Sequence, residues 1–174
     1  MADPRFPIGK FSYDGPLTAE QKQHYLADIE QTPARFRAAL AGLSDSQLNT
    51  PYRDGGWTPR QLAHHLPDSH MNSYIRFKLA LTEDEPTIKP YAENLWAELP
   101  EARNAPVDVS LALLDSLHQR WMLMLREFGD AEWKRTFRHP VLGPMSLEKT
   151  LALYSWHGQH HVAHVTSLRG KMGW

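Results

Sequence analysis

Histidine is concentrated in two short stretches of this sequence. Of the ten histidines in 174 residues, seven fall between positions 64 and 70 or between 157 and 164. Residues four apart lie one above the other on a helix, so His157 and His161 would point the same way from adjacent turns. Two such imidazoles can hold a divalent metal ion. A third from another helix would complete a three-ligand site that keeps a position open for water or substrate.

The upstream stretch can supply that third imidazole. On a helix, His65 lies on a long polar stripe, whereas His64 points about a quarter-turn away. This phase favours His65 over His64 as the ligand. The stripe consists of Thr58, Gln61, His65, Ser69, Asn72 and Arg76.

Spacing alone leaves other ligand pairs open in the downstream stretch, because His160 lies three residues after His157 and four before His164. Helix phase favours His157 with His161, since this pair is nearest the centre of the face that carries Tyr154. The other histidines then take lesser roles. We interpret His64, His70 and His164 as supporting or structural residues, and His24, His118 and His139 as ordinary surface or packing residues.

Three neutral imidazoles without a thiolate or carboxylate suit zinc, nickel or another late divalent metal. The alternative is a set of buried polar clusters or surface histidines that bind nothing. Burying so many imidazoles requires a hydrogen-bond partner for each, and one shared cation would satisfy several of them. The sequence therefore predicts a metal site and leaves the metal open.

Three polar residues after His65 are candidates for roles beside the metal. Asn72 and Arg76 follow at about two and three turns on the same face, so they could bind the polar end of a substrate or form a helix–helix salt bridge. Asp68 could orient an imidazole N–H, as carboxylates beside metal-ligating histidines do, or could be solvated beside Pro67.

Composition excludes several classes of site. There is no cysteine, which excludes disulfides, iron–sulfur clusters and thiolate zinc sites. Nineteen basic and twenty acidic residues are interspersed, which argues against nucleic acid as an obligatory partner. Neither a signal peptide nor a run of about eighteen apolar residues is evident, so we expect a cytoplasmic protein without a membrane segment.

Capping signals and apolar periodicity predict four long helices. The first begins at the capping box Thr18-Ala19-Glu20-Gln21, extends to about Leu43, and should kink or break at Pro33. The second begins after the N-cap Thr58, runs to about Thr82 and should bend at Pro67. The others are predicted over residues 108–128 and from Ser146 to a stop at Gly170.

The remaining segments are predicted to be connections. Residues 1–17 form an arm, Ser44 begins about one helical turn, and Asp130 to Pro144 is an irregular link without a strand pair. The long connection 83–106 would be a lid or a crossover between parallel helices. We therefore predict an all-α four-helix bundle with a long crossover connection, forming a single domain over residues 1–174.

Several long strings resemble the YfiT branch of the DinB-like proteins. They include Pro51-Tyr52-Arg53-Asp54-Gly55-Gly56-Trp57-Thr58, His64-His65-Leu66, Ile88-Lys89-Pro90-Tyr91 and Trp156-His157 with His161 and His164. The segment Asp68 to Lys78 belongs to the same set, as do Phe6-Pro7-Ile8-Gly9 and Met172-Gly173-Trp174. One departure is Pro67, where close relatives are expected to have alanine.

The resemblance implies a four-helix bundle, commonly a homodimer, that binds nickel or zinc through three histidines. Carried over by position, these ligands are His65, His157 and His161, the same three that helix phase favours. Position on the helix faces, and not the resemblance, makes Asp68, Asn72, Arg76 and His164 candidates for substrate-binding or supporting roles. The activity it implies is a metal-dependent hydrolase acting on a small-molecule substrate. Some relatives of the family are instead thiol S-transferases, which use the metal to activate a low-molecular-weight thiol such as bacillithiol.

Three functions are compatible with such a site. A hydrolase would activate water at the open metal position. A thiol S-transferase would hold a thiolate there. The sequence lacks the His-Glu-x-x-His pattern in which glutamate is the base, and this absence slightly favours thiol activation. The third is a non-catalytic metal-binding stress protein. The sequence identifies neither the substrate nor a general base.

Overall fold

Capping side chains fix where three of the four long helices begin. In the computed structural model, which describes residues 3–174, these are α1 (Ala19–Leu40), α3 (Pro59–Thr82) and α8 (Leu147–Met172). Each follows a Thr or Ser whose side chain accepts a hydrogen bond from a backbone N–H of the first turn. The fourth long helix, α6 (Val107–Leu125), follows Pro106 instead.

The breakers inside these helices do not end them. Both α1 and α3 continue through their buried prolines, Pro33 and Pro67, although each proline lacks the N–H for one helical hydrogen bond. The expected stop at Gly170 is wrong, because α8 continues to Met172. It ends at Gly173, whose φ of 73° is the left-handed conformation that favours glycine.

Short elements occupy the connections. Four are helices: α2 (Asp45–Leu48), α4 (Glu93–Trp96), α5 (Pro100–Asn104) and α7 (Asp130–Lys134). The prediction of an irregular link without strands is wrong, because β1 (Thr136–His139) and β2 (Gly143–Ser146) form an antiparallel hairpin. Four-residue strands are too short for alternation to be visible in the sequence. Buried Phe137 and Met145 face each other in its register and bring it onto the core.

The four long helices form a ring in the order α1, α8, α3, α6. Contacts along α1 and α8 advance together, from Lys22 with Glu148 to Ala39 with Arg169, so these two helices are parallel. The same holds for α3 and α6, from His64 with Ser110 to His70 with His118. Residues 83–106 therefore connect parallel neighbours, and the predicted four-helix bundle with a long crossover is confirmed.

The core has two apolar layers. One contains Phe77, Trp121, Leu151 and Tyr154, and the other contains Phe36, Leu62, Leu66, Leu114 and Val165. On α8, the histidines lie in the chain between Tyr154 of the first layer and Val165 of the second. On α3, His70 lies between Leu66 and Phe77, whereas His64 and His65 lie among the residues of the second layer. The apolar layers thus hold the helices at a fixed separation across a polar level in the middle of the bundle.

The N-terminal arm lies along α8. Within residues 3–17, the Gly9 carbonyl accepts a hydrogen bond from Trp156 Nε1 at 3.2 Å, and the Tyr13 hydroxyl donates to Glu148 at 2.8 Å. Residues 1 and 2 of the predicted arm lie outside the described residues. In the described part of the chain, we find no helix that combines the length and apolarity needed to cross a bilayer.

A close approach between α1 and α8 fixes the second of these helices. A Cβ atom on Gly158 would lie 2.5 Å from Thr32 Oγ1 and 2.9 Å from Thr32 Cγ2. Nearby, the buried Asp28 carboxylate accepts hydrogen bonds from Ser155 Oγ at 2.9 Å and Gln159 Nε2 at 2.8 Å. These contacts set the position of the α8 turn that carries His157.

Substituting Gly158 should therefore destabilise the fold. We expect Gly158→Ala to lower the free energy of unfolding by about 1–3 kcal/mol, because the new methyl group has no room against Thr32. Gly170→Ala is the matched control on the same helix, where an added Cβ meets nothing within 4 Å. It should raise stability by about 0.5–1 kcal/mol. Urea unfolding measures both, and equal effects of the two substitutions would contradict the packing argument.

Candidate metal site

Three imidazoles meet in the polar level between α3 and α8. His157 Nε2 lies 3.4 Å from His65 Nε2 and 3.1 Å from His161 Nε2. One ring nitrogen from each of the three residues lies within 4.8 Å of the others. Two nitrogens that are each about 2.0–2.1 Å from a tetrahedral zinc ion are about 3.3 Å apart, so the donor atoms fit one shared ion.

The start of α3 determines the direction of His65. Thr58 and Gln61 hydrogen-bond reciprocally, with Thr58 N to Gln61 Oε1 at 3.0 Å and Gln61 N to Thr58 Oγ1 at 3.2 Å. The Trp57 ring, just before the cap, lies 4.5 Å from the His65 ring and 6.5 Å from the His161 ring, measured between centroids. Capping and aromatic packing therefore place His65 against α8.

A direct hydrogen bond joins the two ligand-bearing helices beside the cluster. The Tyr154 hydroxyl, on α8, donates to the Ser69 carbonyl of α3 at 3.2 Å. Tyr154 and Ser69 are both buried. This bond lies one helical turn from both His157 and His65, so it restrains the relative position of the two helices at the level of the site.

The other nitrogens of the two α8 histidines face further histidines. His157 Nδ1 lies 3.1 Å from His70 Nε2, and His161 Nδ1 lies 3.4 Å from His164 Nδ1. Such contacts orient an imidazole so that its remaining nitrogen can act as a ligand. His164 also stacks on Tyr52 with ring centroids 4.1 Å apart. His70 and His164 thus support the cluster directly.

His64 lies away from the cluster, on the α6 side of α3. The Ala105 carbonyl accepts from its Nε2 at 3.2 Å, and the Ser110 hydroxyl lies 2.7 Å from its Nδ1. This agrees with a structural role. His118, by contrast, is 2% exposed and contacts His70, so its assignment to ordinary surface or packing residues misses a buried polar contact.

Burial keeps the histidines of this level neutral. Desolvation lowers the pKa of His65 to about 4 and holds the pKa values of His157 and His161 well below the ordinary value, with neighbouring histidines adding to the effect on these two. Desolvation also lowers the pKa values of His118, His160 and His164 to about 4. Neutral imidazoles present lone pairs, which is the form in which histidine binds metals.

A cavity of about 300 Å³ opens onto the three histidines. His65, His157 and His161 line it, and His160 is stacked on Trp156 in the same wall, with ring centroids 4.3 Å apart. The crossover segment supplies Pro90, Tyr91 and Glu93, and the hairpin supplies His139. The remaining lining residues are Trp57, Ser69, Arg76, Tyr154 and Trp156.

The three polar residues predicted beside His65 have different surroundings. Arg76 lines this cavity and also an adjacent one, which Asn72 lines as well. The Asn72 amide donates to the Asp68 carbonyl at 2.9 Å. Asp68 is partly buried, and desolvation together with the charge of Glu101 raises its pKa to about 6. Within residues 3–174, the Asp68 side chain has no hydrogen bond to an imidazole, and Arg76 has no salt bridge.

Sequence reasoning missed several cavity residues. Tyr91, Glu93 and His139 come from segments interpreted as a lid or an irregular link, where helical phase gives no information. The aromatic residues of 83–106 were the available signal, since they indicated a segment that packs. Tyr91 lines the cavity, and burial raises the pKa of its hydroxyl well above the ordinary value.

Comparisons with known proteins agree with this architecture. A sequence profile described as the DinB superfamily matches residues 28–165. Proteins of Bacillus mycoides (strain KBAB4) and Bacillus cereus (strain B4264) are each 53% identical over 174 residues, 100% of both chains. Their names assign them provisionally to the metal-dependent hydrolases.

Two solved structures are similar. YfiT from Bacillus subtilis, described as a probable metal-dependent hydrolase with an unusual four-helix bundle topology, is 49% identical with a TM-score of 0.97, and the match covers 99% of each chain. TT2238, described as a four-helix bundle protein, is 20% identical with a TM-score of 0.59 over 84% of this chain and 98% of its own. The second likeness concerns the fold alone.

Acid should destabilise the metal-free protein. Between pH 6.5 and about 4 the unfolded chain protonates His65 and His118 while the native state does not, so stability present above pH 6.5 is lost as the pH falls. Each such histidine contributes about 1.4 kcal/mol per pH unit. Asp68 acts oppositely, because its raised pKa makes the native state bind the proton first.

Urea unfolding after chelation, at pH 7.5, 6.5 and 5.5, tests this. We expect the free energy of unfolding to fall by about 0.3 kcal/mol per buried histidine in the first interval and by about 1 kcal/mol per buried histidine in the second, since several buried histidines outweigh one aspartate. His118→Gln should make the fall less steep. A flat profile across both intervals would contradict the burial of neutral imidazoles.

Proposed function

The chain belongs to the DinB superfamily, and on that premise we propose that His65, His157 and His161 bind one divalent metal ion and that the protein is a metal-dependent hydrolase of small molecules. One observation carries the proposal. Three neutral imidazoles face one another at distances that suit a shared ion, and they line a cavity. The donor set of three nitrogens favours zinc or nickel.

Such an ion, when bound, would supply Lewis acidity that lowers the pKa of a coordinated water towards neutrality. The protein's own residues orient the imidazoles that would bind the ion. Each ligand uses Nε2, so the Nδ1 atoms of His157 and His161 remain for the supporting contacts with His70 and His164. His157 is the most exposed of the three ligands, which leaves its side of the cluster open to the cavity.

The cavity wall indicates what kind of substrate can enter. Its volume of about 300 Å³ suits a small molecule, and its indole and phenol rings would pack against an apolar body. Among the described residues that line it, Arg76 is the one permanently charged cation. We propose that Arg76 binds an anionic or carbonyl group at the end of the substrate remote from the histidines.

Thiol S-transfer is the second candidate, and one observation favours it. Among the described residues that line the cavity, the sole carboxylate is Glu93, which is exposed. A hydrolase of this kind usually uses a nearby base to activate water, whereas a coordinated low-molecular-weight thiol is already deprotonated. A non-catalytic metal-binding protein would have the same cluster without turnover. The homodimer implied by the family resemblance stays a prediction.

Metal binding should stabilise the wild-type protein and depend on all three histidines. At a free zinc or nickel concentration of 100 times Kd, the gain is about 2.7 kcal/mol, because only the native state offers the assembled site. His65→Ala, His157→Ala and His161→Ala should each abolish the gain. The control is His24→Ala, which removes an exposed histidine that contacts Asp28 instead. Thermal unfolding with metal or chelator, together with metal content per chain, provides the measurement.

Activity should distinguish the two enzymatic functions. The zinc- or nickel-loaded protein is incubated with ester and amide panels without thiol, and separately with monochlorobimane plus a low-molecular-weight thiol. Turnover without thiol, lost in His65→Ala, is the result expected of a hydrolase. Conjugation that requires both thiol and His65 would identify transfer instead.

A matched variant tests the cavity in the same assays. Arg76→Gln should raise KM by about tenfold while kcat changes little, because the residue would bind substrate and stand apart from the reacting atoms. An unchanged KM would show that Arg76 does not bind the substrate. No turnover in either panel, with metal bound, would favour the non-catalytic alternative.

A further inference from the structure

A chain of three imidazoles, two of them fully buried, runs from the proposed metal site to a backbone carbonyl on the opposite side of the bundle. His157 Nδ1 lies 3.1 Å from His70 Nε2, and His70 Nδ1 lies 2.8 Å from His118 Nε2. His118 Nδ1 in turn lies 2.7 Å from the Ile29 carbonyl oxygen. The chain joins four helices, from α8 through α3 and α6 to α1.

The carbonyl at the end of this chain determines the direction of every hydrogen bond in it. A carbonyl oxygen only accepts, so His118 Nδ1 carries the proton. A neutral imidazole has one N–H, so His118 Nε2 accepts and His70 Nδ1 donates. The same rule makes His70 Nε2 the acceptor and His157 Nδ1 the donor. The lone pair of His157 is therefore on Nε2, the atom that faces His65 and His161.

We propose that His70 and His118 are positioning residues, which fix the tautomer and the ring orientation of His157 so that its Nε2 is presented as a metal ligand. This inference rests on the proposed metal site. What it adds is that the Ile29 carbonyl, which is linked to His157 through His118 and His70, determines which nitrogen of His157 binds the metal. His70 and His118 are 0% and 2% exposed, so water does not compete for these bonds.

The packing around the chain supports this role. The His70 and His118 rings stack with centroids 4.9 Å apart, and Trp121 contacts both edge-on at 6.0 and 5.8 Å. Tyr154 contacts the edge of His70 at 5.1 Å. Rings that are held on their faces and edges cannot rotate to exchange donor and acceptor nitrogens. The direction of each hydrogen bond, from donor to acceptor, is thereby fixed.

A matched pair of substitutions at position 118 tests the proposal at a distance from the ligands. In His118→Gln, the amide oxygen takes the place of Nε2 and still accepts from His70. In His118→Asn, the amide nitrogen takes the place of Nδ1 and keeps the bond to Ile29, but no acceptor reaches His70. We expect Asn to weaken zinc binding by about 10–100-fold and Gln by about threefold or less.

Competition with a chromophoric chelator measures zinc affinity in both variants, and circular dichroism verifies that they fold. Equal losses in the two variants, or none in either, would overturn the proposal. If His118→Asn does not fold, the same pair at position 70 replaces it. There, glutamine keeps an acceptor for His157 Nδ1–H and asparagine does not.

A second measurement separates this inference from the proposed function. Long-range proton–nitrogen spectra of the metal-free wild-type protein report which nitrogen of each buried imidazole carries hydrogen. Nδ1–H on both His70 and His118 is the expected result, and Nε2–H on either would overturn the chain. If the protein binds no zinc while both tautomers are as expected, the proposed metal site fails and the orientation of the chain still stands.

Discussion

The structure depends on satisfying a level of imidazoles buried in the middle of a small helical bundle. Neutral histidine needs one donor and one acceptor contact, and an apolar interior supplies neither. In this bundle, ring-to-ring contacts of His157, His70 and His118 end at the Ile29 carbonyl on one side and at three convergent Nε2 atoms on the other. Lone pairs on these nitrogens would repel one another unless a cation lay between them. The metal ion proposed above would remove that repulsion.

The topology is what brings the contributing helices together. The long crossover 83–106 allows α3 and α6 to be parallel neighbours, so His70 and His118 can meet side by side. It also places α8 between α1 and α3. One face of α8 then contacts Asp28 and Thr32 of α1, while the next face carries His157 and His161 towards His65. Rigid contacts on the first face allow a precise cluster on the second.

Much of this was predictable from local signals. The capping boxes at Thr18, Ser44 and Thr58 predicted helix starts within a residue, and the DinB-like resemblance is confirmed. Helix phase selected the three histidines that the fold brings together. The hairpin could not be predicted because its four-residue strands are too short to show alternation. The helix continues past Gly170 because the left-handed cap falls on Gly173, a second glycine that the sequence offers equally. The burial of His118 could not be predicted because it depends on contacts with helices distant in the chain. The contact between His70 and His118, which links His157 to α1, likewise depends on the packing of α6 beside α3.

The cavity wall has a separate origin from the cluster it surrounds. The histidines belong to α3 and α8, which the core holds rigidly, whereas Pro90, Tyr91, Glu93 and His139 come from a connecting segment and a hairpin joined by the bonds of Ile88 and Arg138. Segments of this kind tolerate sequence change better than packed helices do. Natural selection can therefore reshape the cavity wall of this scaffold by changing surface segments, while the three histidines and their helices are retained. Diversification of relatives towards new compounds requires no redesign of the bundle.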